Sequence, residues 1–502
     1  MRNFIENLPL FSIVACLVSS SGSICLKAKA AKRINFFLII AVGIMSLIVM
    51  CYSFTHGSFN YSMGEFPAPW GNEIRGGVLE GGMAFFFSLI MLLSMLGGRK
   101  KLFDEVEETK HNLYYILVNM MLCSLIALVY TNDLFTAYVF VEINTISAAG
   151  LIMIRQNGRT IEATVRYMIM SLVGSGLFLM GLCMLYDITG HLLMENIAES
   201  VKALSASGEY RIPLTVIIAF IVAGLAIKSA LFPFHSWLPD AYGYSTVSSA
   251  AILSSLVSKG YIFLLIKIIY RVIGFETIRD SKVLNVLFVF ACLGIIVGSI
   301  SAIRENDIRR MVAYSSVAQI GYIYLGISLG TTAGMIAALF HILSHGATKS
   351  MLFVSAIGIT DVSDGSRKFV PLTGSGYRNK IAGLGFAAGS LSMVGIPLFS
   401  GFISKLLFME ASVENTGKML PTLIVLAIST ILNAIYFMRT VIRIYNPRWK
   451  ALEGKPGFEK RSFAAQKVYG LTIILFIILN MILGLWSDRI INIIETGLNM
   501  FA

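Results

Sequence analysis

The sequence has few charged residues and little proline. Asp, Glu, Lys and Arg make up 14% of the 502 residues, hydrophobic residues make up 56%, and only 11 prolines interrupt the chain. A composition this apolar excludes a soluble globular protein of this length and predicts an all-α, polytopic membrane protein. The net charge of +12 does not indicate a nucleic-acid partner, because no stretch combines basic with aromatic residues as a nucleic-acid-binding surface does.

Motifs for cofactors and for catalysis are also missing. The six cysteines form no CxxC pair, so iron–sulfur and zinc sites have little support. There is no P-loop, no credible dinucleotide fingerprint, no haem-binding motif and no Ser/His/Asp signature. We therefore predict no cofactor and no metal, and a chain that is not catalytic by itself. Energy for transport would come from an ion gradient or from a partner.

Long apolar segments dominate the sequence. A membrane-spanning helix needs about 20 mainly apolar residues, and the sequence offers about fourteen such segments in a single membrane domain, 1–502. The polar residues 188–210 predict a loop or an interfacial helix, and the first segment is predicted to be a membrane helix rather than a removable signal. The predicted spans are 8–28, 34–54, 77–98, 112–130, 133–153, 161–186, 212–232, 246–270, 283–303, 309–329, 332–358, 381–411, 420–442 and 468–487.

Basic residues concentrate in the odd-numbered loops between these spans. The positive-inside rule then predicts cytoplasmic odd-numbered loops, and an even number of spans places both termini on the outer face of the cell inner (cytoplasmic) membrane. The basic residues after spans one, three, eleven and thirteen are Lys27, Lys29, Lys32, Arg33, Arg99, Lys100, Lys101, Lys110, Arg367, Lys368, Arg378, Lys380, Arg443, Arg448, Lys450, Lys455, Lys460, Arg461 and Lys467.

Two spans combine a lysine with a proline. Lys228 and Pro233 lie in the seventh span, and Pro397 and Lys405 lie in the twelfth. Proline breaks a helix and frees backbone groups, which is tolerated at bilayer depth only beside protein or a water-filled cavity. The two broken helices are five spans apart and therefore run in opposite directions. We predict two inverted five-helix repeats, 112–270 (helices 4–8) and 283–442 (helices 9–13), as in many ion transporters.

The fifth span carries an isolated carboxylate, Glu142, and Lys228 is its natural partner. The proton affinity of a buried lysine depends on its distance from a carboxylate, so movement of Glu142 would switch Lys228. Two plainer interpretations remain open. Glu142 would simply form a hydrogen bond with a neighbouring helix, or Lys228 would snorkel to the interface.

The eighth span carries Lys259 near its middle, among hydroxylic residues that suit a hydrated path. The alternative is serine-mediated helix packing. Lys267, near the end of the same helix, is expected to snorkel to the membrane surface.

The eleventh span holds the sequence HILSHGATKSMLF, in which His341, His345 and Lys349 share one helix face. A neutral imidazole accepts a proton on one nitrogen and releases one from the other. A zinc site is disfavoured because the Glu of a metalloprotease HExxH is missing. A packing cluster is the alternative. Lys405 would end this line of groups, and an unpaired charge at bilayer depth costs about 2.5–3.5 kcal/mol or more.

The segments AIKSALFPFHSWLPDAY, DIRRMVAYSSVAQIGYIYLGI and HILSHGATKSMLF resemble those of the antiporter-like, proton-translocating membrane subunits. This family occurs in respiratory complex I, in Mrp-type multisubunit Na⁺/H⁺ antiporters and in membrane-bound hydrogenases, and the chain is most similar to the MrpD-type subunits of the antiporters. The resemblance implies a hydrated axis halfway across the membrane, formed by Glu142, Lys228, Lys259 and Lys405. His341 and His345 match as well.

The chain departs from this family at two places. The usual His after the seventh span corresponds to Tyr242, and the usual DxLS near the third span is replaced by LEGGM, in which Glu80 is the candidate acidic residue.

These observations predict a proton-translocating subunit of a multisubunit cation/proton antiporter. The expected partners are other membrane subunits, possible redox subunits, lipid and protons, with sodium undecided. The alternative is a proton-pumping subunit of a complex I-type oxidoreductase or hydrogenase. A third hypothesis, an inert scaffold, predicts that substitutions in the axis leave transport unchanged.

Overall fold

Helices account for nearly all of the regular structure. The computed structural model describes residues 2–66, 71–447 and 456–501. Arg448, Lys450 and Lys455 of the predicted basic loops lie outside these residues. The helices of the first part of the chain are α1 (Arg2–Glu6), α2 (Leu8–Ser23), α3 (Ala28–His56), α4 (Val78–Glu105), α5 (His111–Tyr130), α6 (Leu134–Met153), α7 (Gly158–Thr189), α8 (Met194–Ser207), α9 (Arg211–Lys228), α10 (Leu238–Tyr244), α11 (Val247–Ile252), α12 (Ser258–Ile268) and α13 (Phe275–Asp280).

The second part of the chain is equally helical. Its helices are α14 (Val283–Arg304), α15 (Ile308–Leu329), α16 (Thr332–Asp361), α17 (Ser375–Arg378), α18 (Lys380–Val394), α19 (Ser400–Val413), α20 (Thr416–Ile444), α21 (Lys467–Leu485) and α22 (Ser487–Asn499). Two π-helical turns, Leu253–Val257 and Ile269–Ile273, flank α12. Short 3-10 turns cover Met63–Glu65, Glu108–Lys110 and Ala464–Gln466.

The predicted spans correspond to helices in the described residues. Twelve helical segments there are long and apolar enough to cross a membrane, and the two shorter apolar helices α2 and α18 occupy the remaining predicted positions. The prediction of a polytopic all-α membrane protein is therefore confirmed, and the number of spans agrees approximately. The predicted division into inverted repeats 112–270 and 283–442 stays a prediction.

Polar residues at the helix starts fix several boundaries. Asp133 accepts a hydrogen bond from the Thr136 amide at the start of α6, and Asp307 accepts from the Arg309 and Arg310 amides at the start of α15. Such caps supply acceptors for amides that lack a partner within the helix. They leave the apolar middle of each helix to lipid or to its neighbours.

The even-numbered loops meet at one end of the helix bundle. A hairpin of β1 (Phe59–Ser62) and β2 (Glu73–Gly76) lies there, so we call this end the hairpin end. Ile74 bridges to Thr131, Asp133 bridges to Leu193, and Arg75 donates to the Met500 carbonyl near the C terminus. Neither the hairpin nor the amphipathic helix α22 was expected from the sequence.

The odd-numbered loops meet at the opposite end. Lys101 lies 2.8 Å from Asp361, the Ile308 amide donates to the Arg367 carbonyl, and the Gly374 amide donates to the Arg443 carbonyl. This alternation is what successive helices that cross the same membrane in opposite directions produce.

The core of the bundle is the segment Val247–Ile273 together with α15 and α16. The most apolar window of Val247–Ile273 is completely buried, whereas the corresponding windows of α20 and α21 are only one-third buried. Helix α16 packs against α4, α11, α15, α18, α19, α21 and α22. Lys259, His341, His345 and Lys349 therefore lie on the most enclosed helices of the molecule.

Candidate functional site

A buried ion pair lies where the seventh span is interrupted. Lys228 is the last residue of α9, and its Nζ lies 3.2 Å from Glu142 Oε1 and 2.7 Å from Thr145 Oγ1. The Lys228 side chain is fully buried, whereas that of Glu142 is 27% exposed. The Ser175 hydroxyl donates to the same Glu142 oxygen. One carboxylate thus receives hydrogen bonds from an ammonium and a hydroxyl.

The backbone around Lys228 explains how the ammonium reaches Glu142. Helix α9 ends at Lys228, and turns over 229–237, which include Pro233, separate it from α10. The Lys228 ammonium lies at the negative end of the α9 dipole, which favours a cation. Gly174 allows α7 to approach closely, since a Cβ there would lie 3.0 Å from Lys228 Cγ.

Hydroxyl and amide groups continue from this pair towards α12. The Tyr261 ring centroid lies 5.6 Å from Lys228 Nζ, and its hydroxyl donates to Asn144 Oδ1 at 2.9 Å. Asn144 donates in turn to Ser124. The Tyr242 hydroxyl lies 3.2 Å from Ser258 Oγ, beside Lys259. No hydrogen bond joins Lys228 to Lys259 within the described residues.

Lys259 lies directly after a π-helical turn. Its fully buried ammonium donates to the Ser254 carbonyl inside that turn. A π turn shifts the backbone hydrogen bonds by one residue, and such turns are frequent at functional sites. Ser254 also lies 3.0 Å from Ser316 on α15, and Ser255 lies 2.8 Å from Ser350 on α16. Hydroxyl contacts therefore connect this turn to both core helices.

The two histidines of α16 form a parallel pair. The ring centroids of His341 and His345 are 5.8 Å apart, and their planes differ by 3°. His341 Nδ1 lies 2.7 Å from Ser404 Oγ. The other ring nitrogens, His341 Nε2 and both of His345, have no hydrogen-bond partner among the described protein atoms. Both histidines lie within electrostatic range of Lys259, and His341 also of Lys405.

Lys349 belongs to the same helix but has fixed partners. Its Nζ donates to the Val312 carbonyl at 2.9 Å and to Ser315 Oγ, both on α15. It therefore links α16 to α15 and stands beside the line of groups.

The second interrupted helix supplies the last lysine. Helix α18 ends at Val394, and α19 begins at Ser400, with Pro397 in the interruption. Lys405 Nζ donates to the Val394 carbonyl at 2.6 Å and to Thr430 Oγ1 at 2.9 Å. The helix break thus exposes a backbone acceptor that holds the ammonium.

A small cavity connects the histidine pair with Lys405. His341, His345 and Lys405 line it, together with polar groups of Gln319 and Tyr322. Its volume is about 10 Å³, which is roughly the space of one water molecule. The structure thus pairs Glu142 with Lys228, and separately brings the histidine pair close to Lys405 and Lys259.

A cluster of metal ligands is not part of this arrangement. Within 2–66, 71–447 and 456–501, no group of three or more His, Cys, Asp or Glu side chains is placed to hold a metal ion.

Comparison with known proteins assigns this chain to a family. A model of the family described as NADH:quinone oxidoreductase/Mrp antiporter, transmembrane, matches residues 131–432, which include every group of the line. The chain belongs to this family. The membership of this family that the sequence motifs indicated is thereby confirmed.

Relatives come from both branches of the antiporter family. The chain is 31% identical over 503 residues to NADH-quinone oxidoreductase subunit N of Desulforudis audaxviator, covering 97% of this chain and 98% of that protein. It is 29% identical over 375 residues to the putative antiporter subunit mnhD2 of Staphylococcus haemolyticus, covering 74% and 72%. It is therefore an antiporter-like membrane subunit of the Mrp or complex I type.

Solved structures of the antiporter family share the fold. A chain of an archaeal membrane-bound sulfane sulfur reductase superposes with a TM-score of 0.86 at 24% identity, covering 99% of this chain and 97% of that one. A chain of the Mrp complex from a Dietzia species gives 0.84 at 23% identity, with coverages of 99% and 98%. A chain of complex I from Thermus thermophilus gives 0.73 at 20% identity, with coverages of 97% and 100%. These relatives are subunits of multisubunit membrane complexes.

One expectation for this family member is wrong. Lys267 does not snorkel: its side chain is fully buried, and Nζ donates to the Val129 carbonyl at 2.8 Å and the Thr131 carbonyl at 2.6 Å. These carbonyls end α5, where the last acceptors lack donors within the helix. Lys267 therefore caps α5 from a neighbouring helix.

A second group of charges lies near Lys267, and the sequence had indicated Glu80 among them as a candidate acidic residue. Glu80 is buried with its Oε1 3.7 Å from Arg75 Nε, and Arg271 lies 2.9 Å from Glu195 at the hairpin end. The sequence signal for this group was the segment LEGGM in place of DxLS, because it puts the acidic Glu80 next to an apolar run.

Proposed function

We propose that this chain is the proton-translocating subunit of a multisubunit cation/proton antiporter, similar to the MrpD-type subunits. Protons would move along the line Glu142, Lys228, Lys259, His345, His341 and Lys405. Lys349 would support the line by linking α16 to α15. The family assignment supports an antiporter-like subunit in general, and the route through these residues is our proposal.

The observation that carries the proposal is the Glu142–Lys228 ion pair at an interrupted helix. A purely structural pair gains little at bilayer depth, because the desolvation of two charges offsets much of their attraction. A pair that exchanges its proton has a reason to be retained. Glu142 also accepts a hydrogen bond from the Ser175 hydroxyl, and Lys228 donates one to the Thr145 hydroxyl. Each charged group would therefore keep one hydrogen bond when the pair separates.

The remaining lysines support the same conclusion. Lys259, Lys349 and Lys405 have no carboxylate within 4.0 Å among the described residues, and each ammonium instead contacts backbone carbonyls or hydroxyls. An unpaired ammonium at bilayer depth costs about 2.5–3.5 kcal/mol or more. Apolar residues would make these helices more stable, so transport is the better explanation for three such lysines.

In this mechanism Glu142 is the switch. While Glu142 contacts Lys228, the pair holds a positive charge on the lysine. When Glu142 moves away, Lys228 releases its proton through the hydroxyl groups towards Lys259. The unpartnered imidazole nitrogens of His345 and His341 pass a proton on, and Lys405 receives it across the small cavity.

A complex I-type or hydrogenase-type proton pump is the second candidate. The full-length similarity to NADH-quinone oxidoreductase subunit N favours it. The route within the chain would be the same, and redox subunits would supply the energy.

We also propose an orientation in the cell inner membrane. The end opposite the hairpin carries the basic odd-numbered loops and would face the cytoplasm. Both termini would then lie on the outer side.

The first prediction tests the switch. In proteoliposomes that contain the assembled complex, Glu142→Gln is expected to reduce proton transport at least about tenfold, since proton-transferring side chains typically contribute 10²–10⁴-fold. Lys228→Ala should have a similar effect. A pH-sensitive dye inside the vesicles measures the rate.

The matched control is Glu410→Gln, which removes an exposed carboxylate from α19 and should leave transport unchanged. Assembly is checked by size-exclusion chromatography. Wild-type transport by a correctly assembled Glu142→Gln complex would refute the switch and favour the inert scaffold.

A further inference from the structure

A pocket lined by basic side chains lies at the end opposite the hairpin. It forms between the end of α4, the end of α16 and the start of α21, and its volume is about 520 Å³. We call it the basic pocket. Its cationic residues are Arg99, Lys100, Lys101, Arg461 and Lys467. The proton route does not involve any of them.

Most of this positive charge is uncompensated. Asp361 is the acidic residue of the lining, and it lies 2.8 Å from Lys101. The other four cationic side chains are exposed and form no ion pair within the described parts of the chain. Four like charges around one cavity repel each other, so a bound anion would lower the free energy of this arrangement.

The other walls of the basic pocket are apolar. Leu96, Phe103, Ile357 and Val468 line it, and Phe103 and Val468 are 44% and 46% exposed. A soluble anion such as phosphate does not need this surface. A molecule that combines a phosphate with a hydrocarbon chain matches both kinds of wall.

The three helices that form the bottom of the basic pocket are in close contact. A Cβ at Gly97 would lie 2.5 Å from Val354, so α4 and α16 touch there. Tyr469 fixes α21 to α16, since its hydroxyl accepts from the Gly358 amide at 3.2 Å and donates to the Val354 carbonyl at 3.1 Å. The cavity is thus a defined gap between three membrane helices at the level where they leave the bilayer.

We propose that the basic pocket binds an anionic glycerophospholipid. Arg99, Lys100, Arg461 and Lys467 would contact the phosphate oxygens, for which charge-assisted hydrogen bonds are strong. One acyl chain would descend from these side chains past Val468 towards Leu96 and Ile357, which lie further into the helix bundle. Basic pockets between membrane helices on the cytoplasmic side are suited to anionic headgroups. This site goes beyond proton transport and is independent of it.

The second prediction tests the lipid site by native mass spectrometry. The purified complex is delipidated and offered equal amounts of phosphatidylglycerol and phosphatidylcholine. The wild type is expected to retain phosphatidylglycerol. Replacement of Arg99, Lys100, Arg461 and Lys467 by Gln should reduce its retention at least about tenfold, because each basic residue near a membrane surface contributes to the attraction of anionic lipid. These four side chains are exposed, so the variant should fold.

The control replaces four exposed basic residues of other odd-numbered loops, Lys27, Lys29, Arg33 and Lys368, by Gln. It has the same net charge as the pocket variant and should retain phosphatidylglycerol as the wild type does. Equal retention by the pocket variant and the wild type, or equal retention of phosphatidylcholine, would overturn the proposal.

Two further measurements separate other occupants from a lipid. Glycerol 3-phosphate is expected to bind far more weakly than phosphatidylglycerol, and Val468→Ala should weaken only the binding of the lipid. Equal affinity for both would make the pocket a phosphate site and refute the lipid. A photoreactive phosphatidylglycerol should label the pocket in the intact complex, and labelling blocked by a partner protein would assign the pocket to that protein instead.

Discussion

Lys259 and Lys267 lie in one buried segment of the helix bundle, and both ammonium groups are fully enclosed. Their partners differ. Lys267 donates to two carbonyls at the end of α5, whereas Lys259 donates to one carbonyl within its own π turn and lies near the histidine pair. The sequence predicted Lys259 near the middle of an apolar span, and its side chain is buried there. The prediction for Lys267 was wrong because the carbonyls that hold it belong to a helix more than a hundred residues away.

The third prediction compares these two lysines. Lys267→Met removes the donor from two buried carbonyls and is expected to destabilise the protein by about 1–3 kcal/mol, with transport per folded molecule retained. Lys259→Met is expected to leave the unfolding midpoint nearly unchanged and to abolish transport. Thermal unfolding in detergent and vesicle transport measure the two effects. The opposite pattern would move Lys267 into the proton route and Lys259 out of it.

At the scale of elements, two interrupted helices bring backbone polar groups to bilayer depth. The prolines predicted both interruptions, since Pro233 and Pro397 lie within them. Proline could not predict what each break does for its lysine. Lys228 ends a half-helix and reaches across to Glu142, whereas Lys405 reaches back from α19 to the carbonyl that ends α18. The hairpin was missed because its strands are only four residues long, and their pairing is not local.

The fourth prediction concerns Gly395, which ends α18 with φ at +91°. A Cβ there would lie 3.0 Å from Lys405 Cδ and 3.3 Å from Nζ. Gly395→Ala is expected to push the ammonium away from the Val394 carbonyl and to slow transport several-fold. It should also cost about 1–2 kcal/mol of stability, because a side chain disfavours positive φ.

Gly190→Ala is the matched control. Gly190 also has positive φ, at +72°, but nothing lies within 4 Å of its Cβ position. This variant should lose similar stability and keep wild-type transport. Equal transport rates for the two variants would show that the position of Lys405 does not matter.

At the scale of the whole molecule, the loops of the two ends separate cleanly. Basic loop residues predicted this alternation from the sequence, because their charge marks every second connection. Which complex the chain serves could not be predicted in the same way. The residues of the proton route are compatible with either energy source, so the difference lies in other subunits.

The fifth prediction is the composition of the purified complex. A tagged chain extracted in mild detergent should bring down other membrane subunits without iron–sulfur proteins if it serves an antiporter. Iron–sulfur or nickel–iron subunits would instead assign it to a redox-driven pump. Mass spectrometry identifies the subunits, and iron analysis of the same sample provides an independent check. A chain that purifies alone and transports protons unaided would contradict both assignments.

The partial exposure of Glu142 has a consequence for the isolated chain. Its side chain is 27% exposed on the flank of α6, at a depth where hydrocarbon would otherwise surround it. A carboxylate that borders acyl chains attracts water and thins the lipid beside it. A companion subunit seated against α6 would cover this flank and keep lipid and bulk water away from the carboxylate.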